Sequence, residues 1–144
     1  MAETLYQTDV VAWAREQAEL LRAGRFDALD IEHIAEEIED VGKSEQRELA
    51  SRLTVLIAHL LKWRYQPERR GNSWRRTIAV QRKDVAYALK ESPSLKAKFA
   101  DAEWLELVWE KAVALAVDET ELEVFPESCP WTLAEILDPS WLPD

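Results

Sequence analysis

Apolar residues recur every three or four positions through most of this chain, which is the period of an amphipathic α-helix. The few glycines and prolines, 3 and 6 in number, fall mainly between these periodic segments. The pattern predicts five main helices and a short sixth one, at about residues 9–23, 31–41, 45–65, 74–91, 95–117 and 133–138. We therefore expect an all-α protein: one domain over residues 1–144, built as a bundle of four to five helices with a proline-rich C-terminal tail.

Helix ends are marked by capping residues and breakers. Thr8 is the expected N-cap of the first helix and Gly24 its stop. The second helix carries Ile31, Ile34, Ile38 and Val41 on one stripe. Because Gly42 follows that stripe directly, we expect the second helix to end there and the third to return antiparallel to it. The third helix has its own apolar stripe, formed by Leu49, Leu53, Leu56, Leu60 and Trp63.

The later segments are less regular. The predicted fifth helix is apolar on more than one side, which is typical of a central helix or of a subunit interface. Thr132 and Glu135 form a capping-box pattern at the start of the short sixth helix, and Pro139 stops it. We expect the tail from Phe125 onward to pack over one end of the bundle.

Composition is consistent with this view. A chain of 144 residues with 47% hydrophobic residues is long enough to bury a core without disulfides or a structural metal. Its single cysteine, Cys129, indicates a reducing compartment. Charged residues interrupt the first twenty positions, so we expect neither a signal peptide nor a membrane span, and a cytoplasmic location.

Charge is distributed very unevenly along the chain. Residues 1–42 contain 3 basic and 11 acidic side chains, residues 43–98 contain 14 and 5, and residues 99–144 contain 1 and 12. Residues 62–83, which we call the basic segment, contain eight Lys or Arg residues and one acidic residue, and aromatic residues lie between the basic ones. On the fourth helix, one sector carries Arg75, Arg76, Arg82, Lys83 and Lys90.

Two interpretations of the basic segment stay open. In the first, it binds nucleic acid or phosphate, with Trp74 as a stacking platform. The binding residues would be Arg69, Arg70, Trp74, Arg75, Arg76 and Lys83. In the second, which the net charge of −10 favours, the basic middle is neutralised by the acidic ends within one molecule or across a dimer, and Trp63 and Trp74 belong to the core.

Histidine and carboxylate residues supply a third hypothesis. His33 and Glu37 lie four residues apart on one helical face, near Asp30 and Glu36, a spacing compatible with an acid–base pair or metal ligands. An exposed His–Glu pair is the ordinary explanation. We expect His59 to be partly buried, with a hydrogen-bond partner from the start of the second helix or from another helix. Glu36, Glu37 and His59 thus define a candidate polar site, with no metal or cofactor predicted.

Four segments together resemble a known family. They read LYQTDVVAWAREQAELLRAGRFDALD, IAEEIEDVGKSEQRELASRL, HLLKWRYQPERRGNSWRRTI and FPESCPWTLAEILD. In this order they resemble the domain-of-unknown-function family 29, a bacterial family of small helical proteins, over about Leu5 to Trp141. The resemblance implies a helical cytoplasmic domain and no assigned activity. The family pattern includes carboxylates that match Glu36, Glu37 and Glu39 and a histidine that matches His59. It also includes positions that match Lys62, Trp63, Tyr65, Gln66, Pro67, Arg70, Trp74 and Arg75.

These observations favour a non-enzymatic function. We expect an intracellular interaction module that self-associates or pairs with another protein, with charge complementarity between the basic middle and the acidic ends setting the assembly. Nucleic-acid or phosphate binding by residues 62–83 is the alternative. A metal-dependent hydrolase using His33, Glu36, Glu37 or His59 ranks last.

Overall fold

The structure is a computed structural model that describes residues 4–144. Most of the described residues are helical, and no strand occurs among them. The chain divides into two compact units, Met1–Glu45 (unit 1, described from Thr4) and Gln46–Asp144 (unit 2). The α-helices are α1 (Leu5–Thr8), α2 (Val10–Arg22), α3 (Ile31–Tyr65), α4 (Asn72–Glu91), α5 (Ala102–Thr120) and α6 (Leu133–Leu137). Short 3₁₀ helices cover Phe26–Ala28, Pro67–Arg69 and Pro93–Ala100.

The predicted hairpin between the second and third helices is wrong. Residues 31–65 form one continuous helix, α3, whose first part belongs to unit 1 and whose remainder belongs to unit 2. Gly42 lies inside this helix with a helical backbone. A glycine in a helix interior costs only about 1 kcal/mol relative to alanine, and the residues on both sides have adequate helix propensity, so the glycine does not stop the helix.

The caps of unit 1 differ by one residue from the prediction. Thr8 ends α1, and Asp9 is the N-cap of α2, where its side chain accepts a hydrogen bond from the Ala12 amide at 3.0 Å. Gly24 follows α2 in the left-handed region at φ 70°, as the stop signal requires.

Unit 2 contains the larger hydrophobic core. The predicted stripe of the third helix is confirmed, because Leu49, Leu53, Leu56, Leu60 and Trp63 are all buried. Against it pack Ile78 and Val85 of α4, Val108 and Ala112 of α5, and Ile136 of α6. Deletion of a fully buried leucine from such a core costs about 2–5 kcal/mol. The stripe of α3 therefore anchors unit 2.

The predicted fifth helix starts too early. Residues Pro93–Ala100 form a 3₁₀ segment, and α5 begins only after Asp101, whose side chain accepts a hydrogen bond from the Trp104 amide at 3.1 Å. Asp101 caps a free amide at the start of α5 and so separates α5 from the 3₁₀ segment, whereas the hydrophobic period alone predicts a single helix. At the other end, α5 runs to Thr120, and Glu121 has a left-handed backbone at φ 60°.

The C-terminal segment lies along the unit 2 core. Phe125, Trp131, Trp141 and Leu142 pack against it as half-buried residues. The capping box of Thr132 and Glu135 is present at the start of α6, as predicted. α4 begins at Asn72 with Gly71 as its N-cap, two residues before the predicted start at about residue 74. Between residues 4 and 144, no helix has the combined length and apolar character needed to cross a membrane.

Candidate functional site

In unit 1, polar and aromatic side chains converge on Asp30, the residue directly before α3. Its Oδ2 accepts hydrogen bonds from Trp13 Nε1 at 3.0 Å and from His33 Nδ1 at 2.7 Å. The Asp30 backbone amide donates to Gln17 Oε1 at 2.8 Å, and Gln17 is buried. Because Trp13 and Gln17 belong to α2, these bonds fix α2 to the start of α3 within unit 1.

Tyr6 completes this cluster from α1. Its ring stacks on His33 with a centroid distance of 4.0 Å and meets Trp13 edge-on at 4.7 Å. Its hydroxyl donates to Glu37 Oε1 at 2.6 Å, and this bond to a carboxylate raises the pKa of Tyr6 to about 12. The Asp30 cluster therefore comprises Tyr6, Trp13, Asp30, His33 and Glu37.

The two ionisable partners stabilise each other's charged forms. The hydrogen bond to Asp30 raises the pKa of His33 above its ordinary value. The same bond, followed by that from Trp13, lowers the pKa of Asp30. A histidine that donates to a carboxylate is the arrangement of a general base, and it is equally an arrangement that holds two helices together.

The candidate polar site of Glu36, Glu37 and His59 is not brought together. Glu37 joins the Asp30 cluster, Glu36 is exposed, and His59 belongs to unit 2. His59 Nδ1 donates to the Val55 carbonyl of its own helix at 2.9 Å, so the expectation of a partner from another element is wrong. Burial lowers the pKa of His59. Its neighbours on the helix satisfy its hydrogen bond because residues four apart lie one turn from each other.

The described residues, 4–144, contain no group of three or more His, Cys, Asp or Glu side chains placed to hold a metal ion. Cys129 lies against the unit 2 core and donates its thiol to the Trp131 carbonyl at 3.4 Å. Burial raises the pKa of the Cys129 thiol, which favours its protonated form.

The basic segment is organised by its aromatic residues. The buried Trp63 ring has the guanidinium carbons of Arg70 and Arg75 at 5.1 and 4.9 Å from its centroid. Arg70 Nε also donates to the Trp63 carbonyl at 2.7 Å. Cation–π contacts of this kind contribute about 0.5–2 kcal/mol each. Trp63 is thus a core residue, as the second interpretation of the segment holds.

Lys62 is the member of the basic segment that pairs with the acidic C-terminal third. Its ammonium is buried, forms an ion pair with Glu119, and lies 5.2 Å from the centroid of the half-buried Trp74. Trp74 packs against the core, so part of its surface is unavailable for stacking on a base. The ion pair of Lys62 and Glu119 is one instance of the internal neutralisation that the second interpretation of the basic segment predicts.

Arg82 lies in the basic sector of α4, but it does not belong to an exposed basic face. Its side chain is only 6% exposed. Its Nε donates to the Ile136 carbonyl and its Nη2 to the Trp141 carbonyl, each at 2.8 Å. Arg82 therefore joins α4 to the C-terminal segment.

The remaining cations of the segment stay without carboxylate partners. Within residues 4–144, none of these side chains makes an ion pair: Arg64, Arg69, Arg70, Arg75, Arg76 and Lys83. Arg69, Arg76 and Lys83 are also exposed. Internal neutralisation thus accounts for Lys62 and leaves a positive surface that requires solvent counter-ions or a ligand.

Unit 1 has the opposite surface. Ile31, Ile38 and Val41 of the predicted stripe are 67%, 67% and 65% exposed, so the stripe exists and is not covered. Glu32, Glu36 and Glu39 are exposed on the adjacent face of α3. We call residues 31–45 the acidic arm of α3. Sequence reasoning identified the stripe, but placed it against a third helix that does not turn back.

Tyr6 and Trp13 are the residues of the Asp30 cluster that sequence reasoning missed. No spacing relation connects them to His33, because they come from α1 and α2. The only sequence signal for this cluster was Asp30 at the start of a helix with His33 three residues later.

Comparison with known proteins identifies the family and supplies no function. The family model described as domain of unknown function DUF29 matches residues 5–142. The chain therefore belongs to this family. Searches of curated proteins and of solved structures each returned no match.

Proposed function

We propose that this protein is a self-associating interaction module in which the acidic arm of one copy binds the basic segment of another. The observation that carries the proposal is the uncovered stripe of Ile31, Ile38 and Val41 beside exposed carboxylates. Contiguous exposed apolar surface rimmed by polar residues is typical of interaction sites. The negative charge of the acidic arm attracts a positive surface, and the basic segment of a second copy provides such a surface.

Charge complementarity supports a second copy as the partner. Residues 1–42 have a large acidic excess, whereas residues 43–98 have a basic excess. Arg69 and Arg76 are exposed and have no carboxylate partner among residues 4–144. Complementary surfaces on one chain favour association between copies and suppress contacts between like surfaces.

Sedimentation velocity over a concentration and salt series tests this proposal. We expect a reversible oligomer that dissociates as salt rises, because exposed charge pairs are screened. In Ile31→Ser/Ile38→Ser, two isoleucines that association would bury are lost, which should weaken association by about 2 kcal/mol, roughly 30-fold. Tyr87→Ser is the matched control, since Tyr87 is 64% exposed in unit 2 and should leave association unchanged.

A charge exchange identifies the two surfaces. Glu36→Lys/Glu39→Lys and Arg69→Glu/Arg76→Glu should each weaken association, and mixing the two variants should restore it as a hetero-oligomer. A monomer at every concentration, or a mixture that fails to associate, would overturn the proposal.

Nucleic-acid binding is the second candidate, supported by the unpaired exposed cations Arg69 and Arg76. Fluorescence anisotropy with labelled single- and double-stranded DNA and RNA over a salt series tests it. Steeply salt-dependent binding that disappears in Arg75→Glu/Arg76→Glu would support this candidate. Absence of binding at low salt would remove it.

A further inference from the structure

One face of α4 borders an open cleft against the C-terminal segment, with a volume of about 310 Å³. Its apolar wall includes Ile78 of α4 together with Leu137 and Leu142. Ala79 and Ala86 also line it, two helical turns apart on the same face of α4. The cleft stays open because these two positions carry methyl groups where larger side chains would fill the space.

Three cations line this apolar cleft: Arg75, Arg82 and Lys83. Arg82 is the unusual one, because it is a buried guanidinium with no ion-pair partner among residues 4–144. The charge of Asp138 acts on it, but the Oδ1 of Asp138 is engaged by the amide and hydroxyl of Ser140. Buried charges in proteins are normally paired. Arg82 has no direct ion pair among the described residues and only the indirect influence of Asp138, so its guanidinium is suited to bind an anion that enters the cleft.

The guanidinium of Arg82 still has donor capacity. Its Nε and Nη2 donate to two backbone carbonyls, which fix its plane, while Nη1 makes no hydrogen bond to residues 4–144. A guanidinium held rigidly in this way presents its remaining N–H groups in a fixed direction, which suits a carboxylate or phosphate oxygen.

We propose that this cleft, which we call the α4 cleft, binds a small amphiphilic anion. The carboxylate or phosphate group would contact Arg75, Arg82 and Lys83, and a short apolar chain would lie on Ile78, Leu137 and Leu142. The volume is at the lower end of the range of ligand pockets, about 300–1,000 Å³, so the apolar part is short. The site lies within unit 2 and does not depend on self-association.

Isothermal titration calorimetry with the full chain tests the site, using octanoate and octyl phosphate as probes. Octanol supplies the apolar chain without the charge, and inorganic phosphate supplies the charge without the chain. We expect one site for at least one of the two amphiphilic anions, with octanol and inorganic phosphate binding at least about tenfold more weakly. Amide shifts in ¹H–¹⁵N spectra should map to α4 and to residues 137–142. The better of the two amphiphilic anions identifies the head group.

Variants separate the site from general charge attraction. Arg75→Ala/Lys83→Ala should weaken binding about tenfold or more, whereas Lys90→Ala/Lys96→Ala, which removes the same charge at two exposed lysines outside the cleft, should change it less than about twofold. Ala79→Phe keeps the charge and should abolish binding by filling the cleft. Ala86→Leu is the milder version, and circular dichroism confirms that each variant folds.

Three results would overturn the proposal. They are no binding of either amphiphilic anion at millimolar concentration, equal binding of inorganic phosphate and octyl phosphate, and unchanged affinity in both folded cleft-filling variants. Because Arg75 and Lys83 are not exchanged in the self-association test, failure of one proposal is distinguishable from failure of the other.

Discussion

Replacement of Arg82 by alanine tests how the C-terminal segment is held. In the native protein, Arg82 donates to the Ile136 carbonyl in a buried environment and to the Trp141 carbonyl in a partly buried one. In Arg82→Ala the Ile136 carbonyl loses its partner where water has little access, which costs about 2 kcal/mol. The Trp141 carbonyl is closer to solvent and regains water, so its loss costs about 1 kcal/mol.

An opposing effect reduces this sum. Burial of a guanidinium without a carboxylate partner carries a desolvation penalty, and the alanine variant no longer has this penalty. We therefore expect a net destabilisation of about 2 kcal/mol. With an m-value of about 2 kcal/mol/M in urea, the unfolding midpoint should fall by about 1 M.

Tryptophan fluorescence in urea measures this change, because six of the seven tryptophans lie in unit 2. Lys83→Ala is the matched control: it removes the neighbouring exposed cation and should shift the midpoint by less than about 0.25 M. Arg82→Lys keeps the charge but loses the planar fork, and should fall between the two. A midpoint for Arg82→Ala equal to that of Lys83→Ala would refute the reasoning that Arg82 anchors the segment.

Three further predictions concern α3, the Asp30 cluster and Cys129. Gly42→Ala should stabilise the protein to urea by about 0.5–1 kcal/mol, and Gly42→Pro should destabilise it by about 3 kcal/mol; tolerance of the proline would instead indicate the turn that the sequence suggests. Because the folded-state pKa of His33 is raised, its contribution to stability is complete below about pH 6.5 and is lost as pH rises through that raised pKa. Asp30 has a lowered pKa, so it contributes to stability above about pH 4 and loses this contribution as pH falls through that lowered pKa. Exchange of the Trp13 indole proton should therefore be slowest between about pH 4 and 6.5. An exchange rate with no such minimum, once corrected for the intrinsic pH dependence of exchange, would contradict the assignment, and His33→Ala is the control. Cys129 should react with a thiol reagent far more slowly in native protein than in urea; equal rates would mean that the thiol is accessible.

Local signals in the sequence determined much of the helical structure. Periodicity located the buried stripe of α3 from Leu49 to Trp63, and the Thr132–Glu135 pattern located the start of α6. These features depend on residues within a few turns of one another, so neighbouring positions contain the necessary information. The acidic and basic division of the chain is likewise a property of the sequence, and it motivated the proposal of self-association.

Decisions between competing local signals required the tertiary structure. Gly42 predicts a stop, but its cost is small, so the helix continues and leaves Ile31 and Ile38 exposed. Period counting placed Arg82 in one sector with four other cations and left its exposure open, whereas the C-terminal segment covers it and uses its donors.

The Asp30 cluster and the α4 cleft depend on the tertiary structure for the same reason. Tyr6 and His33 meet through stacking between separate elements, and the cleft exists because residues 137–142 lie beside α4. The physical cause is that helix formation depends on backbone bonds four residues apart, whereas sites depend on side-chain packing between elements distant in sequence. The sequence by itself determined where most helices form and how charge is distributed, and only packing decided which charges are buried, which apolar residues are exposed and where a ligand could bind.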